Sequence, residues 1–393
     1  MRPVLRFMIA ALLAMTLCGG LSPARADGPS TGELMLAKLF GNAPVTADMF
    51  TPGFLAQASI TQILSVFDRL RPIVGQPQSI EQRGGSYLVH GTTFTVPVEM
   101  SLDPSGRVAS LLLHTPVRNF ATLDDVVQAL GALPGKVSYL VTRNDAVMRA
   151  RDNDLPIAVS SGFKLGVLAA VKAEIDAGHL SWDGVVKLTP EARSLAPGQL
   201  QDFPPGSPVT VHTLAALMVA QSDNTATDAL INLIGRDKVA AALGVDFVLM
   251  TAEFYKLKAD PALKLRYATA DLAGRRKIAS ELANMPLPAA ADAGGLLDPG
   301  VEWYLPASKL CQLAESVADL DVFAINPGLA SRDDWQGIAF KGGSEVGVAS
   351  LTTVLTDKAG VRYCASLTVN DSKPLDEDHL QSLYGSLIEK LAS

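Results

Sequence analysis

Apolar and polar positions follow two different periods along the chain, and the switch between them divides it. Residues 31–44 carry helical spacing, closed by Gly41-Asn42-Ala43-Pro44. The stretch from Gly53 to Arg71 repeats that spacing and is expected to stop near Pro72, which breaks the helical ladder. Period two then takes over in Ser86–His90, Thr92–Met100 and Val108–His114, punctuated by Gly91 and by the turn Asp103-Pro104-Ser105-Gly106. Helices followed by a short antiparallel meander make a small α+β unit.

From about residue 120 the pattern changes again. Leu123–Leu130 reads as helix, and Val137–Val141 and Ala146–Ala150 as two paired strands. A mostly helical stretch covers 161–325. Strands return at Ile338–Phe340, Ala349–Leu355 and Arg362–Val369, and an amphipathic helix covers 377–392. Strands at both ends with helices between them predict one sheet built from the two ends of the domain. Part of the helices then layer against it and part form a separate lobe. The fold class is α+β, with an N-terminal domain over 27–118 and a larger domain over 119–393.

The first residues read differently. Arg2 and Arg6 precede the short apolar run Phe7–Met15, and Ala24-Arg25-Ala26 supplies a small-x-small cleavage pattern. Residues 1–26 are therefore expected to be a secretory signal, with a periplasmic or secreted mature chain starting at Asp27. Cys18 suggests a lipoprotein signal, but Leu17 occupies the position where a small residue is required. No later stretch stays apolar for the ~20 residues of a membrane helix.

With 393 residues, the chain has material for two cores. Hydrophobic residues make up 48% and charged residues 19%, and the net charge is −7 without a Lys/Arg stripe, so nucleic acid is excluded as a partner. After signal removal only Cys311 and Cys364 remain. An oxidising compartment permits a disulfide, and two buried thiols are equally compatible with the pattern. His90, His114, His179, His212 and His379 are scattered without metal-ligand spacing, so a zinc hydrolase is rejected and neither metal nor cofactor is expected.

Three short motifs carry chemistry. Ser161-Gly162-Phe163-Lys164 opens a helical run ending near Gly178, and residues three apart share a helix face, so the Lys164 amine reaches toward the Ser161 hydroxyl. A serine at a helix start also feels the positive end of the dipole. Ser222-Asp223-Asn224 follows the helical run Thr213–Ala220. Lys341-Gly342-Gly343-Ser344 ends a strand, where glycines let a ligand lie against the backbone. Each motif is weak alone, but their order and placement together are specific.

This set resembles the class A β-lactamases and penicillin-binding proteins over about residues 120–393. The flanking segments, Leu155–Ser161, Ser222–Asp228 and Lys341–Val348, are similar to a two-domain branch of that superfamily. That branch includes a β-lactamase-like protein of the clavulanic-acid pathway and mycobacterial lipoproteins. Its N-terminal domain is steroid-isomerase-like (nuclear-transport-factor-2-like), an outline the N-terminal element order also resembles. The resemblance implies a β-lactamase-like antiparallel sheet flanked by helices, plus a helical lobe. It implies Ser161 as the acylated nucleophile, Lys164 as its base, Ser222 as proton relay and Lys341 as a source of positive potential. Asn224 then binds the substrate amide and holds Lys164, while the Ser161 and Ser344 N–H groups form an oxyanion hole against Gly342 and Gly343. The substrate is a small acyl compound: a β-lactam, a D-Ala-containing peptide or an ester.

Two departures bear on that implication. Gly342 stands where the family usually carries Thr or Ser for the substrate carboxylate, and by spacing Ser350 stands where an Arg often serves it, although Ser344 is a replacement for one anchor. The loop bearing a deacylating Glu is not recognisable. Glu253 is the nearest candidate, with the competing reading of a helix start capped by Thr251. Trp303, Tyr304, Trp335 and Phe340 line a cleft or, in the favoured reading, pack in the core or at its rim. Hydrolysis of β-lactams, a D-alanyl peptidase or esterase activity, and a slowly acylated penicillin-sensing role all fit this chemistry.

Overall fold

The computed structural model describes residues 29–392. The expected signal at 1–26, with Cys18, and the expected start at Asp27 lie outside them. The architecture is mixed α and antiparallel β, in the α+β class expected. The chain divides into two compact units, Met1–Leu123 with Gln381–Ser386, and Asp124–Leu380 with Leu387–Ser393.

In the first unit, Ser30 caps helix α1 (Thr31–Phe40) and Glu33 answers it, a reciprocal pair that ties off two free backbone N–H groups. The expected single helix over 53–71 is two, α2 (Pro52–Gln57) and α3 (Ile60–Val74). Ser59 interrupts them because its hydroxyl caps α3 with Gln62 as partner. Pro72 lies inside α3, and the helix runs on to Val74 before Gly75 turns the backbone to φ 72°. Strands β1 (Ser79–Arg83), β2 (Ser86–His90), β3 (Phe94–Leu102) and β4 (Val108–Leu113) form a meander, with β5 (Val117–Arg118) added on β3. Leu36, Leu39, Phe40, Phe67, Val89 and Val96 are fully buried in its core, where the Phe40 and Phe67 rings meet edge to face at 5.3 Å.

The second unit begins with α4 (Leu123–Gly131), β6 (Lys136–Arg143) and β7 (Ala146–Arg151). Three long strands close it, β12 (Gly337–Glu345), β13 (Val348–Thr356) and β14 (Arg362–Asn370), followed by the C-terminal helix α13 (Glu377–Ala392). The sheet order is β12-β13-β14-β6-β7, so the two ends of the domain meet along β14–β6, with Leu367 opposite Tyr139. Between them run short ribbons β8 (Ile157–Ala158) with β11 (Tyr304–Leu305), and β9 (Val185–Lys187) with β10 (Pro208–Thr210). The helices are α5 (Lys164–Asp176), α6 (Val211–Ala220), α7 (Asn224–Ile234), α8 (Arg236–Leu243), α9 (Thr251–Ala259), α10 (Pro261–Thr269), α11 (Leu272–Ala283) and α12 (Ala307–Val317). None of the described helices is long and apolar enough to cross a membrane.

Helix α5 sets the centre of this unit. Its first eight residues are buried but for Ala169 at an edge position, with Leu165, Val167, Leu168 and Val171 fully enclosed. A helix apolar on all sides needs neighbours all round, and α5 contacts α6, α7, α8 and α12. Cys311 on α12 and Cys364 on β14 are joined by a disulfide, resolving the choice the sequence leaves open. Closing a loop of that length restricts the unfolded chain by about 4 kcal/mol in the chain-entropy model. Trp303 and Trp335 are core residues, as favoured, and Tyr304 and Phe340 are half-buried.

Candidate active site

Three elements carry the motif residues. The first is the turn of the candidate nucleophile. Ser161 lies on a 3-10 turn, Ser160–Phe163, which feeds directly into α5. The nucleophile candidate thus precedes the helix proper by one turn. Asn370 fixes the approach, since its carboxamide accepts from Ala158 N and donates to Ala158 O, both at 2.8 Å. Val159 N donates to Trp303 O at 2.9 Å. Phe163 is fully buried and stacks on Trp303, centroids 4.3 Å apart. Ser160 holds φ 45°, an uncommon conformation for a residue with a Cβ, and its hydroxyl donates to Ser344 O at 3.1 Å.

The second element is the loop between α6 and α7. Ser222 has φ 58°. Left-handed backbone at a non-glycine residue costs roughly 1–3 kcal/mol and persists where its surroundings hold it. Here the holder is Asp223, fully buried. Its Oδ1 accepts from Ala226 N at 2.8 Å and caps α7, while Oδ2 accepts from Gln199 N at 2.8 Å and Leu200 N at 3.0 Å. Asn224 N donates to Pro197 O, and Asn224 Nδ2 to Leu195 O at 3.0 Å.

The third is β12, an edge strand of the sheet. It brings Lys341, Gly342, Gly343 and Ser344 past the nucleophile turn. A Cβ on Gly343 would sit 2.4 Å from Val159 O, 2.7 Å from Gly162 N and 2.8 Å from Ser161 N. Backbone atoms cannot yield at those distances, so glycine is what lets the strand press against the turn. Gly343→Ala is expected to push β12 off the turn. It should cost about 1–3 kcal/mol of stability and cut acylation more than tenfold, read by thermal melts and by labelling rate. Gly342 points the other way, toward Phe340 and Leu351.

The side chains meet at Ser222. Lys164 Nζ lies 2.6 Å from Ser222 O, 3.1 Å from Ser222 Oγ and 2.6 Å from Asn224 Oδ1. Lys341 Nζ lies 3.1 Å from the same Ser222 Oγ. One hydroxyl thus links two amines, on α5 and β12. Both lysines are buried, Lys164 at 0% exposure. Burial, and then the Lys341 charge, hold the Lys164 ammonium well below the usual lysine range, against Asp228 and Asp223, which raise it. Burial alone brings Lys341 down to about 7. An amine that is neutral near neutral pH is what proton abstraction from a serine requires.

Glu253 is not among these contacts and lies in the first turn of α9, the position its helix-start reading expects. Its oxygens receive Arg236 Nη1 and Nη2 at 2.7 and 2.6 Å, and Met250 N at 3.0 Å. The cap differs from expectation. Met250 holds the N-cap position, and the Thr251 hydroxyl instead donates to Ser194 Oγ at 2.7 Å. Buried Asp228 pins α9 by accepting from Thr251 N and Ala252 N, both at 2.8 Å, and burial raises it to about 7. Two residues further along α9, on another face from Glu253, Tyr255 Oη accepts from Asn224 Nδ2 at 3.2 Å. Sequence reading misses Tyr255 and Asp228, although Asp228 lies four residues after Asn224, on the same face of α7. Ser350 is 1% exposed and bonds Thr368 Oγ1 at 3.1 Å, so it is buried beneath the turn, whereas the Ser344 side chain is exposed.

Residues 121–273 match the family model of the beta-lactamase enzyme family. The Pseudomonas aeruginosa β-lactamase VEB-1 is 28% identical over 116 residues, 29% of this chain and 38% of that protein, so the chain spans well under half of that relative's length. Among solved structures, a β-lactamase of Sphaerobacter thermophilus is 20% identical, with 70% of this chain and 96% of that one covered and a TM-score of 0.48. PBP-A is 17% identical, covering 69% and 94%, with a TM-score of 0.47.

Proposed function

Starting from that family match over residues 121–273, we propose that the chain is an exported serine hydrolase working through a Ser161 acyl-enzyme, β-lactamase-like but weak on β-lactams. The observation that carries this reading is the shared contact of Lys164 and Lys341 on the Ser222 hydroxyl. In this mechanism neutral Lys164 takes the Ser161 proton as Oγ attacks the carbonyl carbon. The oxyanion is held by the Ser161 and Ser344 N–H groups, each worth roughly 3–4 kcal/mol in other serine enzymes. Ser222, within reach of both amines, passes the proton to the leaving nitrogen or oxygen. Asn224 holds Lys164 and offers its carboxamide to the acyl amide.

The carboxylate side of the site favours a second substrate class. Gly342 supplies no hydroxyl and Ser350 is buried. Each missing charge-assisted hydrogen bond costs ~1.5–3 kcal/mol. Simple acyl esters, which carry no such carboxylate, are penalised less. Time-resolved mass spectrometry with a penicillin, a cephalosporin and a short-chain ester tests the reading. An adduct on the Ser161 peptide is expected with at least one of the three, and none with any of them would sink it. The export signal at 1–26 is part of the proposal, and N-terminal sequencing of periplasmic material should read Asp27 first. The N-terminal domain over 27–118 is proposed as a steroid-isomerase-like scaffold or binding module.

A further inference from the structure

A second ionisable cluster lies at the end of β12, the strand that carries Lys341 and Gly343, and takes no part in the acylation chemistry above. Lys258 on α9 bonds the Glu345 carboxylate at the end of β12, and lies 3.3 Å from Glu302 Oε1 and 3.0 Å from Leu296 O. The side chains are 4%, 13% and 0% exposed for Lys258, Glu345 and Glu302. Two carboxyl groups therefore share one ammonium almost out of water. Glu302 Oε1 also accepts from Asp298 N at 3.1 Å, but Glu302 Oε2 is buried with no hydrogen-bond partner. An unpartnered buried carboxylate oxygen is costly, and a proton on the pair removes that cost.

The position of the cluster gives it a use. Glu345 follows Ser344 directly and lies two residues beyond Gly343, so it shares the strand face that Gly343 turns to the nucleophile turn. On α9, Lys258 comes three residues after Tyr255, so the helix face that reaches Asn224 through Tyr255 also reaches Glu345 through Lys258. Glu253 lies on a different face, held by Arg236. The carboxylate presented between β12 and α9 is thus Glu345.

We propose that Glu345 is the base that activates the hydrolytic water when the acyl group leaves Ser161, with Lys258 and Glu302 setting its charge. This rests on the Ser161 acyl-enzyme reading. Water oxygen bonds the acyl carbon as Glu345 takes its proton. The tetrahedral intermediate collapses with breakage of the carbon–Oγ bond, and Ser161 Oγ recovers that proton from Glu345. Acid product and free serine result, and the Glu345 carboxylate is regenerated.

The groups facing Glu345 are Lys258 and Tyr255 from α9 and Glu302 and Tyr304 from the segment before α12, with Asp298 beyond Lys258. Burial and then the Glu302 charge raise Glu345 to about 8, and Lys258 opposes them. A base must be unprotonated, so deacylation should climb with pH and level off above about 8.

Pre-steady-state mass spectrometry of the mature chain with a chromogenic cephalosporin, or with whichever substrate labels Ser161, measures both steps. Glu345→Gln should lower the ratio of deacylation to acylation rate by about 100-fold, the low end for lost general-base catalysis. Glu345→Asp, which keeps the charge, should recover part of that ratio, and Glu302→Gln should move the deacylation pH rise to lower pH. A ratio within threefold of wild type in Glu345→Gln overturns the inference. Should that variant fail to fold, an unmoved pH rise in Glu302→Gln overturns it equally. Wild-type protein that never forms a Ser161 adduct overturns the acyl-enzyme reading itself, whereas an adduct that clears normally in Glu345→Gln leaves that reading standing.

Discussion

Replacing Ser161 with alanine should abolish covalent labelling by a fluorescent penicillin or an activated ester, with no residual adduct above background on the purified chain. Oγ is the only atom the mechanism acylates. Its neighbour Ser160 cannot substitute, because that hydroxyl is turned away to Ser344 O and its backbone is held at φ 45°. Removing Oγ from a half-buried position leaves the Phe163–Trp303 stack and the Asn370 clamp untouched, so the melting temperature should move by no more than a few degrees. Persistent labelling in Ser161→Ala would rule it out as the nucleophile.

The second large effect is at Lys164. Lys164→Arg keeps a cation but forfeits the base, because guanidinium does not deprotonate in proteins. Acylation should fall by roughly 10³-fold, within the range for lost general-base catalysis. Arginine is also larger than the enclosed site, so Lys164→Met, neutral and similar in length, should show the same loss without the added charge. The sign of the pH dependence follows from burial. The folded site holds Lys164 below its unfolded range, so the wild-type acylation rate rises with pH as that proton leaves. Both variants should lose that rise. Acylation within threefold of wild type in either would contradict the assigned role.

How much of this was legible in the sequence varies by element. Four strands of the large sheet lie within two residues of their expected positions because apolar runs bounded by turns mark them well, while β12 runs five residues past its expected end at Phe340. That the two ends of the domain share one sheet followed from reading strands at both ends, whereas the particular join of β6 to β14 did not. Strand β1 went unread because Ser79–Arg83 has no buried position and so carries no alternation. The break at Ser59 was readable, since Gln62 completes a capping box. Among site residues, the three motifs mark Lys164, Ser222, Asn224 and Lys341, which the fold gathers at the Ser222 hydroxyl, and Ser161, whose turn packs against β12. Glu253 could not be placed without knowing that Arg236 lies opposite it, because the two sit on different helices. The Lys258–Glu302–Glu345 cluster was invisible for the same reason: its members come from a helix, a loop and a strand, and no local spacing links them. The cysteine pairing likewise depends on α12 lying over β14.

The Asn370 clamp has a consequence for biogenesis. The residue that straightens the approach to the nucleophile is the last of β14, and β14 is the middle strand of the sheet on which everything else is laid. A ribosome that has finished all three motifs has still not delivered the strand that joins β6 to β13. Until residue 370 emerges, the nascent chain carries all three motifs without the strand that joins the two halves of their sheet. Alignment of the three motifs then depends on one long-range pairing, β14 with β6, of the kind that folds slowly.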